Sequence, residues 1–270
     1  MEKVENLTEA LKSDILKFLY KDEMMNLNLI DALESNKIGD LYIMKINDKL
    51  SAVLHSRFDG NSRFTNFFYS SKEGLQGIIN QLKSMNKDKM LLAGVKRDVL
   101  EITKALDGRS SCNSDLYYKL NRKESFNINN TEVLFRKTRL CNEDSSILKH
   151  FLVEFFQAII EEEIKAITDE KLIEADLKDG TYFIEKDGKV IGMARICGET
   201  HNYSEVTGVY ISPEYRGHGY GKILMMYMVN HILKANKIPV LQAAAENIMA
   251  IRTYEALDFI KVEDYSFEFL

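Results

Sequence analysis

Residues 215–222 read YRGHGYGK and place Arg216, Gly219 and Gly221 in the pattern Arg-x-x-Gly-x-Gly. An apolar run, VTGVYISPE, precedes them, and a helix-like stretch, ILMMYMVNHIL, follows. A strand, a glycine turn and a helix in that order aim backbone amides at one concavity. The helix dipole there favours anions. Glycine permits positive φ and a close backbone approach. Residues Arg216, Gly217, His218, Gly219, Tyr220, Gly221 and Lys222 are thus expected to cradle a pyrophosphate, with Arg216 and Lys222 adding positive charge. The alternative is a tight glycine turn with no ligand. A P-loop is excluded twice over: counting back from Gly221-Lys222, Arg216 replaces its first glycine, and Ile223 replaces its hydroxyl residue. The dinucleotide fingerprint Gly-x-Gly-x-x-Gly fails from Gly217, where Lys222 replaces the third glycine, and from Gly219, where Leu224 does.

The loop and the segment after it carry a resemblance. VYISPEYRGHGYGKIL resembles the acyl-coenzyme A signature of the GNAT superfamily of N-acetyltransferases. The family's second element is an Asn, a short spacer and a Tyr on the next helix, ending near Gly-Phe. It is similar to NIMAIRTYEALDF, with Asn247, Tyr254 and Phe259. Asp258 stands where the family commonly has glycine, at a position that shapes a turn. The resemblance covers roughly residues 131–270. It implies acetyl-CoA as cosubstrate and no metal. It also implies a pantetheine arm lying like an added strand on the edge formed by Val209, Tyr210 and Ile211. The amide near Tyr210 or Ile211 would polarise the thioester carbonyl.

In such a mechanism the amine attacks directly, so no enzyme nucleophile is needed and Cys197 is expected to be a buried strand residue. Tyr254 matches the family's acid position, and a phenol with a pKa of about 10 holds its proton at neutral pH. For the base, Glu in the strand of Glu205 serves many relatives. Even spacing puts Glu205 on the same strand face as Val209 and Ile211. Glu154 on the preceding helix is a second candidate, and His201 and His218 read as loop residues.

Those residues need elements to hold them. Residues 7–35 carry two helical stretches, LYIMKINDKLSAVLHSR reads as a hairpin turning at Asn47-Asp48, and FTNFFYS reads as a strand. GLQGIINQLKSM and VLEITKAL read as helices around the buried strand MLLAGV. After a polar stretch at 121–130 the plan repeats. EVLFRKTRL is a strand, and SSILKHFLVEFFQAII is an amphipathic helix with Ser145 or Ser146 as N-cap. TYFIEKDGKVIGMARI is a hairpin on Asp187-Gly188. The strand EVTGVYIS, the helix after the loop, the strand PVLQAAA, the helix NIMAIRTYEAL and a closing strand complete it. Residues 41–52 align with 181–192 at an offset of 140, and 68–71 align with 209–212 at an offset of 141. The chain is therefore expected to be α+β (mixed α/β), with two GNAT-like domains, each a mostly antiparallel central sheet flanked by helices. Residues 1–130 form the copy without the coenzyme A loop, and 131–270 form the catalytic copy.

Composition narrows the rest. The chain has 270 residues, 45% hydrophobic and 29% charged, enough for two real cores. A net charge of −5 argues against a nucleic-acid partner. Three cysteines and five histidines fall in no metal or redox spacing. The charged N-terminus has no signal-peptide apolar region, and no stretch reaches membrane-span length, so a cytoplasmic protein is expected. The expected activity is acetyl transfer to the primary amine of a small or amino-acid-like molecule. A coenzyme A-binding sensor and an aminoacyl or peptidyl transferase are the alternatives. The first half lacks an arginine at its loop and a tyrosine in its following helix, so one coenzyme A site per chain is expected.

Overall fold

In the computed structural model, residues 1–59 and 62–270 are described. The first half contains β1 (Glu2–Lys3), α1 (Glu9–Leu19), α2 (Leu27–Glu34), β2 (Asp40–Ile46), β3 (Lys49–Asp59), β4 (Ser62–Tyr69), α3 (Lys72–Ser84), β5 (Met90–Val95), α4 (Lys96–Asp107) and β6 (Asp115–Leu120). The second contains β7 (Val133–Lys137), α5 (Asn142–Phe156), α6 (Glu161–Ile167), α7 (Glu170–Asp179), β8 (Thr181–Lys186), β9 (Lys189–Glu199), β10 (Tyr203–Ile211), α8 (Tyr220–Lys234), β11 (Ile238–Ala244), α9 (Ile248–Glu255) and β12 (Phe259–Phe269).

Two compact units emerge: residues 1–116 with 263–270, and residues 117–262. The expected boundary lay at 130/131. Two strands move it. Most of β6 takes its place beside β11 in the second unit. The end of β12 returns to the first unit, where Tyr265–Phe269 pairs antiparallel with Val95–Leu91 of β5. The polar stretch after β6 is also anchored in the second unit: the N–H and C=O of Phe126 bond the Asn230 side chain on α8 at 2.6 and 2.8 Å.

In the first unit the sheet runs β1-β2-β3-β4-β5-β12. All its pairings are antiparallel except β4–β5. The run Ala52-Val53-Leu54 on β3 is apolar on both faces, because helices cover both. Ala52 and Leu54 join the core under α3 and α4, with Ile78, Leu82, Val99 and Ile102. Val53 joins the core under α1 and α2, with Ile15, Phe18, Ile30 and Leu33. The β2–β3 turn is at Asn47-Asp48, both at positive φ, as a two-residue hairpin turn requires.

In the second unit the sheet runs β6-β11-β10-β9-β8-β7. Among its printed registers only β10–β11 is parallel. One face packs on α5 and α7 through Leu148, Phe151, Leu152, Ile173 and Leu177, against Phe183, Met193 and Tyr210. Leu224, Met225, Met228, Val229 and Ile232 of α8 are also buried. The helix α5 starts earlier than expected, at Asn142, and its N-cap is Cys141 rather than Ser145 or Ser146. The reason is Asp144. Its carboxylate accepts from Arg136 at 2.6 and 2.9 Å and from the Arg139 amide at 2.6 Å, which winds the chain into helix one turn sooner. Glu143 and Asp144 also suit the positive end of the helix dipole.

Burial raises the Asp144 pKa, but the Arg136 and Arg139 hydrogen bonds outweigh it and hold it at about 2, below its ordinary value. The stability this contributes is present above the unfolded-state pKa and is lost as pH falls through the folded one. We expect Asp144→Asn to lower unfolding free energy at neutral pH by about 3 kcal/mol, because it strips a buried charge pair of one partner. Urea denaturation measures the loss, which should shrink as pH falls toward 2.

Candidate functional site

β10 and β11 pair only at one end. Tyr203–Val206 lies parallel with Ile238–Leu241, and pairing stops there although β10 runs to Ile211 and β11 to Ala244. On its other edge β10 remains bonded to β9. The parted strands open a cleft of about 630 Å³, within the range of small-molecule sites. Beyond Val206 the free edge of β10 offers backbone groups with no neighbouring strand. The Ser212 amide donates to Ile191 on the β9 side at 2.9 Å. Strand alternation then turns the backbone of Ile211 to the open side. Its carbonyl there accepts from Arg216 Nε at 2.8 Å.

A β-bulge shapes this edge. Three steps along β10, from Thr207 to Tyr210, match two along β9, from Arg195 to Met193. Gly208 takes φ +58° within it. An extra residue reverses side-chain alternation. The even spacing between Glu205 and Val209 therefore does not put them on one face, and that expectation is corrected. Val209, Tyr210 and Ile211 line the cleft, whereas Glu205 is not among its lining residues. Glu205 is 4% exposed. Its Oε1 accepts from Gln242 Nε2 at 2.8 Å, and Cys197 Sγ lies 3.6 Å from its Oε2. Cys197 was expected to be buried and is exposed. It is the unmatched residue where β9 bulges: Ile196 pairs with Val206 and Gly198 with Glu205.

At the head of the cleft the loop meets α8. Gly217 and Gly219 take φ +79° and +82°, and Gly219 is the N-cap of α8. A Cβ at either would meet nothing within 4 Å. Backbone conformation, not crowding, demands glycine there, and the space beside the loop is open. The amides of residues 217–222 donate to no backbone or side-chain acceptor among the described residues. Such a row of unpaired N–H groups at a helix N-terminus suits an anion. Arg216, Gly217, Gly219, Tyr220, Gly221 and Lys222 all line the cleft. The Arg216 guanidinium sits 5.3 Å from the Tyr210 ring centroid. His218 turns away: it is exposed, does not line the cleft, and its Nδ1 bonds the Arg216 carbonyl at 2.8 Å.

The other wall is α9. Asn247 caps it by accepting from the Ala250 amide at 3.2 Å. Tyr254 lies two turns on, lines the cleft and is 7% exposed. Its hydroxyl bonds nothing among the described residues, and burial pushes its pKa up to about 12. Asp258 takes φ +65°, so the left-handed turn survives with aspartate, one of the few residues that tolerates it. Glu154, Phe155 and Gln157 close the rim from the end of α5. Tyr215, Met225, Met249, Ala250 and Thr253 also line the cleft and were missed from sequence. Ala250 could have been found, since it lies four residues before Tyr254 and helical spacing returns it to the same face.

Among its described residues the first unit shows no equivalent cradle. Ser71 Oγ accepts the Gly74 amide of α3 at 3.1 Å and lies 2.9 Å from Ser51 Oγ. A Cβ at Gly74 would meet the Ser51 carbonyl at 2.6 Å. That helix end is capped and packed shut.

Residues 146–259 match the model of the acetyltransferase (GNAT) family. The fold of both units is GNAT-like. A structural-genomics protein from Drosophila superposes with a TM-score of 0.72 at 13% identity, over 98% of this chain and 97% of that one. A tandem GNAT protein from the clavulanic acid biosynthesis pathway gives 0.64 at 12% identity, over 95% and 93%. A GNAT-family acetyltransferase from Colwellia psychrerythraea gives 0.59 at 13%, over the whole of both chains. At these identities the likeness is one of fold. No curated protein sequence matches significantly. Among the described residues no cluster of three or more His, Cys, Asp or Glu could hold a metal, and no helix is long and apolar enough to cross a membrane.

Acetyl-CoA should raise the melting temperature of the wild-type protein. Gly219→Val, which forces a β-branched residue to positive φ and projects it into the open space, should abolish that shift. An undiminished shift in a folded variant would exclude residues 217–222 as the anion cradle.

Proposed function

We propose that the second unit catalyses acetyl transfer from acetyl-CoA to the primary amine of a small or amino-acid-like molecule. The observation that carries this reading is the row of unpartnered amides at 217–222, opening onto the free edge of β10. The pyrophosphate of the cosubstrate would take those amides, aided by Lys222. Its pantetheine amides would pair with the edge at Val209–Ile211 as an added strand. Asn247 would fix the end of α9 against the arm. The Ile211 amide would donate to the thioester oxygen as negative charge develops there.

In this mechanism the amine nitrogen attacks the thioester carbon, and the tetrahedral species collapses by breaking the C–S bond. Tyr254 gives its proton to the departing thiolate. Burial keeps that phenol protonated through the whole neutral range, as an acid requires. Glu205 accepts the amine's proton through water, because the carboxylate lies behind the cleft wall. Glu154, which lines the cleft, is the competing base. The two are separated by variants: Glu205→Gln should remove the acidic limb of the kcat/KM profile, and Glu154→Gln should keep it. The reverse result would transfer the role to Glu154.

The decisive experiment is an acetyl-CoA-dependent thiol-release screen against primary amines, amino acids and peptides. No turnover with any acceptor, alongside tight acetyl-CoA binding, would favour a sensor. Tyr254→Phe should retain acetyl-CoA binding and lose about 10²-fold in turnover. With a phenol at about 12, wild type and Tyr254→Phe should differ in height across pH 6–10 and not in the shape of the alkaline limb. Calorimetry should give one acetyl-CoA per chain, because the first unit's helix end is capped.

A further inference from the structure

Gln242 follows Leu241, the last residue of β11 paired with β10. Its side chain reaches back across the point where the strands part, and its Nε2 donates to Glu205 Oε1 at 2.8 Å. An ionised carboxylate only accepts, so the carboxamide must turn its nitrogen to Glu205. Glu205 is buried, and the Cys197 thiol lies 3.6 Å from its Oε2. The first unit parts its own parallel strands without such a pair. Arg63, Phe64, Thr65 and Asn66 are the paired residues of β4, none of them a carboxylate, and Gly94 follows the last paired residue of β5. Parting the strands therefore does not require the pair, which belongs to the unit with the anion cradle.

A second observation concerns the other end of the carboxamide. Gln242 Oε1 is buried and has no hydrogen-bond partner among the described residues. Buried polar side-chain atoms nearly always have one, so a bare one calls for a reason. The bond to Glu205 is the one hydrogen bond that this side chain makes among the described residues, and no other bond pins the carboxamide. A half-turn about its last bond exchanges two ends of nearly equal size and presents Oε1 to Glu205 in place of Nε2. An acceptor at that place does not suit a carboxylate. It suits a carboxylic acid, whose O–H donates.

We propose that Gln242 is the positioning residue of Glu205 and follows its protonation. It donates from Nε2 while Glu205 is ionised. Once Glu205 Oε1 holds the proton taken from the amine, the carboxamide turns and its own Oε1 accepts that O–H. The proton then passes to water, and the carboxamide turns back. Glu205 thus keeps one partner and one orientation through the cycle. The inference rests on the reading of Glu205 as the base, but the bond and its turn are measured without catalysis.

The test follows the Glu205 carboxyl carbon and the Gln242 Nε2 protons of the full chain by NMR against pH. They are assigned by their loss in Glu205→Gln and in Gln242→Met or Gln242→Glu. In wild type both should titrate with one midpoint. Below it the hydrogen-bonded Nε2 proton should move upfield to the position of an unbonded amide. Gln242→Met removes a charge-assisted donor and should raise the Glu205 midpoint, and with it the acidic limb of kcat/KM, by about one pH unit. Gln242→Glu, of nearly the same shape, sets two carboxyls side by side and should raise the midpoint further. It also supplies the comparison if Gln242→Met does not fold. A packing role predicts the reverse order, with Met the more disruptive. An Nε2 proton that stays downfield, or a Glu205 midpoint unmoved in the variants, would overturn the proposal. An acidic limb that survives in Glu205→Gln would remove Glu205 as the base, a separate result, and the NMR midpoints would still decide the bond and its turn.

Discussion

The organisation of the second unit depends on one constraint: backbone groups left unpaired must find partners. β10 and β11 hold together for Tyr203–Val206 and then part, leaving one edge of β10 without a strand. A few residues later the chain enters α8 with a row of amides that no acceptor among the described residues takes. The protein keeps both sets of groups in one cleft. In the proposed function, a ligand with amides along its length and a doubly charged anion at its end would satisfy both.

The bulge in β10 adjusts that edge. One additional residue between Thr207 and Tyr210, with Gly208 at positive φ, reverses which side chains face which way. Glu205 is thereby kept behind the cleft, in the company of Gln242 and Cys197, while Val209–Ile211 presents its backbone. The first unit lacks this device. Its β3 and β4 pair without a shift from Ala52–Tyr69 to Asp59–Ser62. The paired registers set Tyr69 opposite Ala52 and Ile211 opposite Gly192, so the offset there is 142 and not the 141 read from the residue pattern.

The two units show how one architecture diverges at its most exposed point. Both part their parallel strands after four paired positions. In one, glycines free the helix end; in the other, Ser71 caps it and Ser51 packs against it. The parted strands remain in both, but the charge of the lining changes sign. Lys222 and free amides line one cleft, and Asp22, Asp98 and Glu263 line the other.

Much of this was legible in the amino-acid order. Hairpins at Asn47-Asp48 and Asp187-Gly188 follow from residues that tolerate positive φ, and helices and strands follow from apolar period. The loop at 216–222 follows from glycines whose backbone freedom is a local property. Other features were decided by contacts far apart in the chain. The early start of α5 comes from Asp144 meeting Arg136. The unit boundary comes from β6 and the end of β12 each completing a sheet elsewhere. The helix α7 was legible too: Asp169 caps it, Ile173 and Leu177 stand at i, i+4, and Gly180 ends it. The side of the sheet on which Glu205 lies was set by the bulge, because alternation holds only while two strands advance in step. Local conformation is written in neighbouring residues, whereas register and partnership are settled between strands, where a single unmatched residue reverses the outcome.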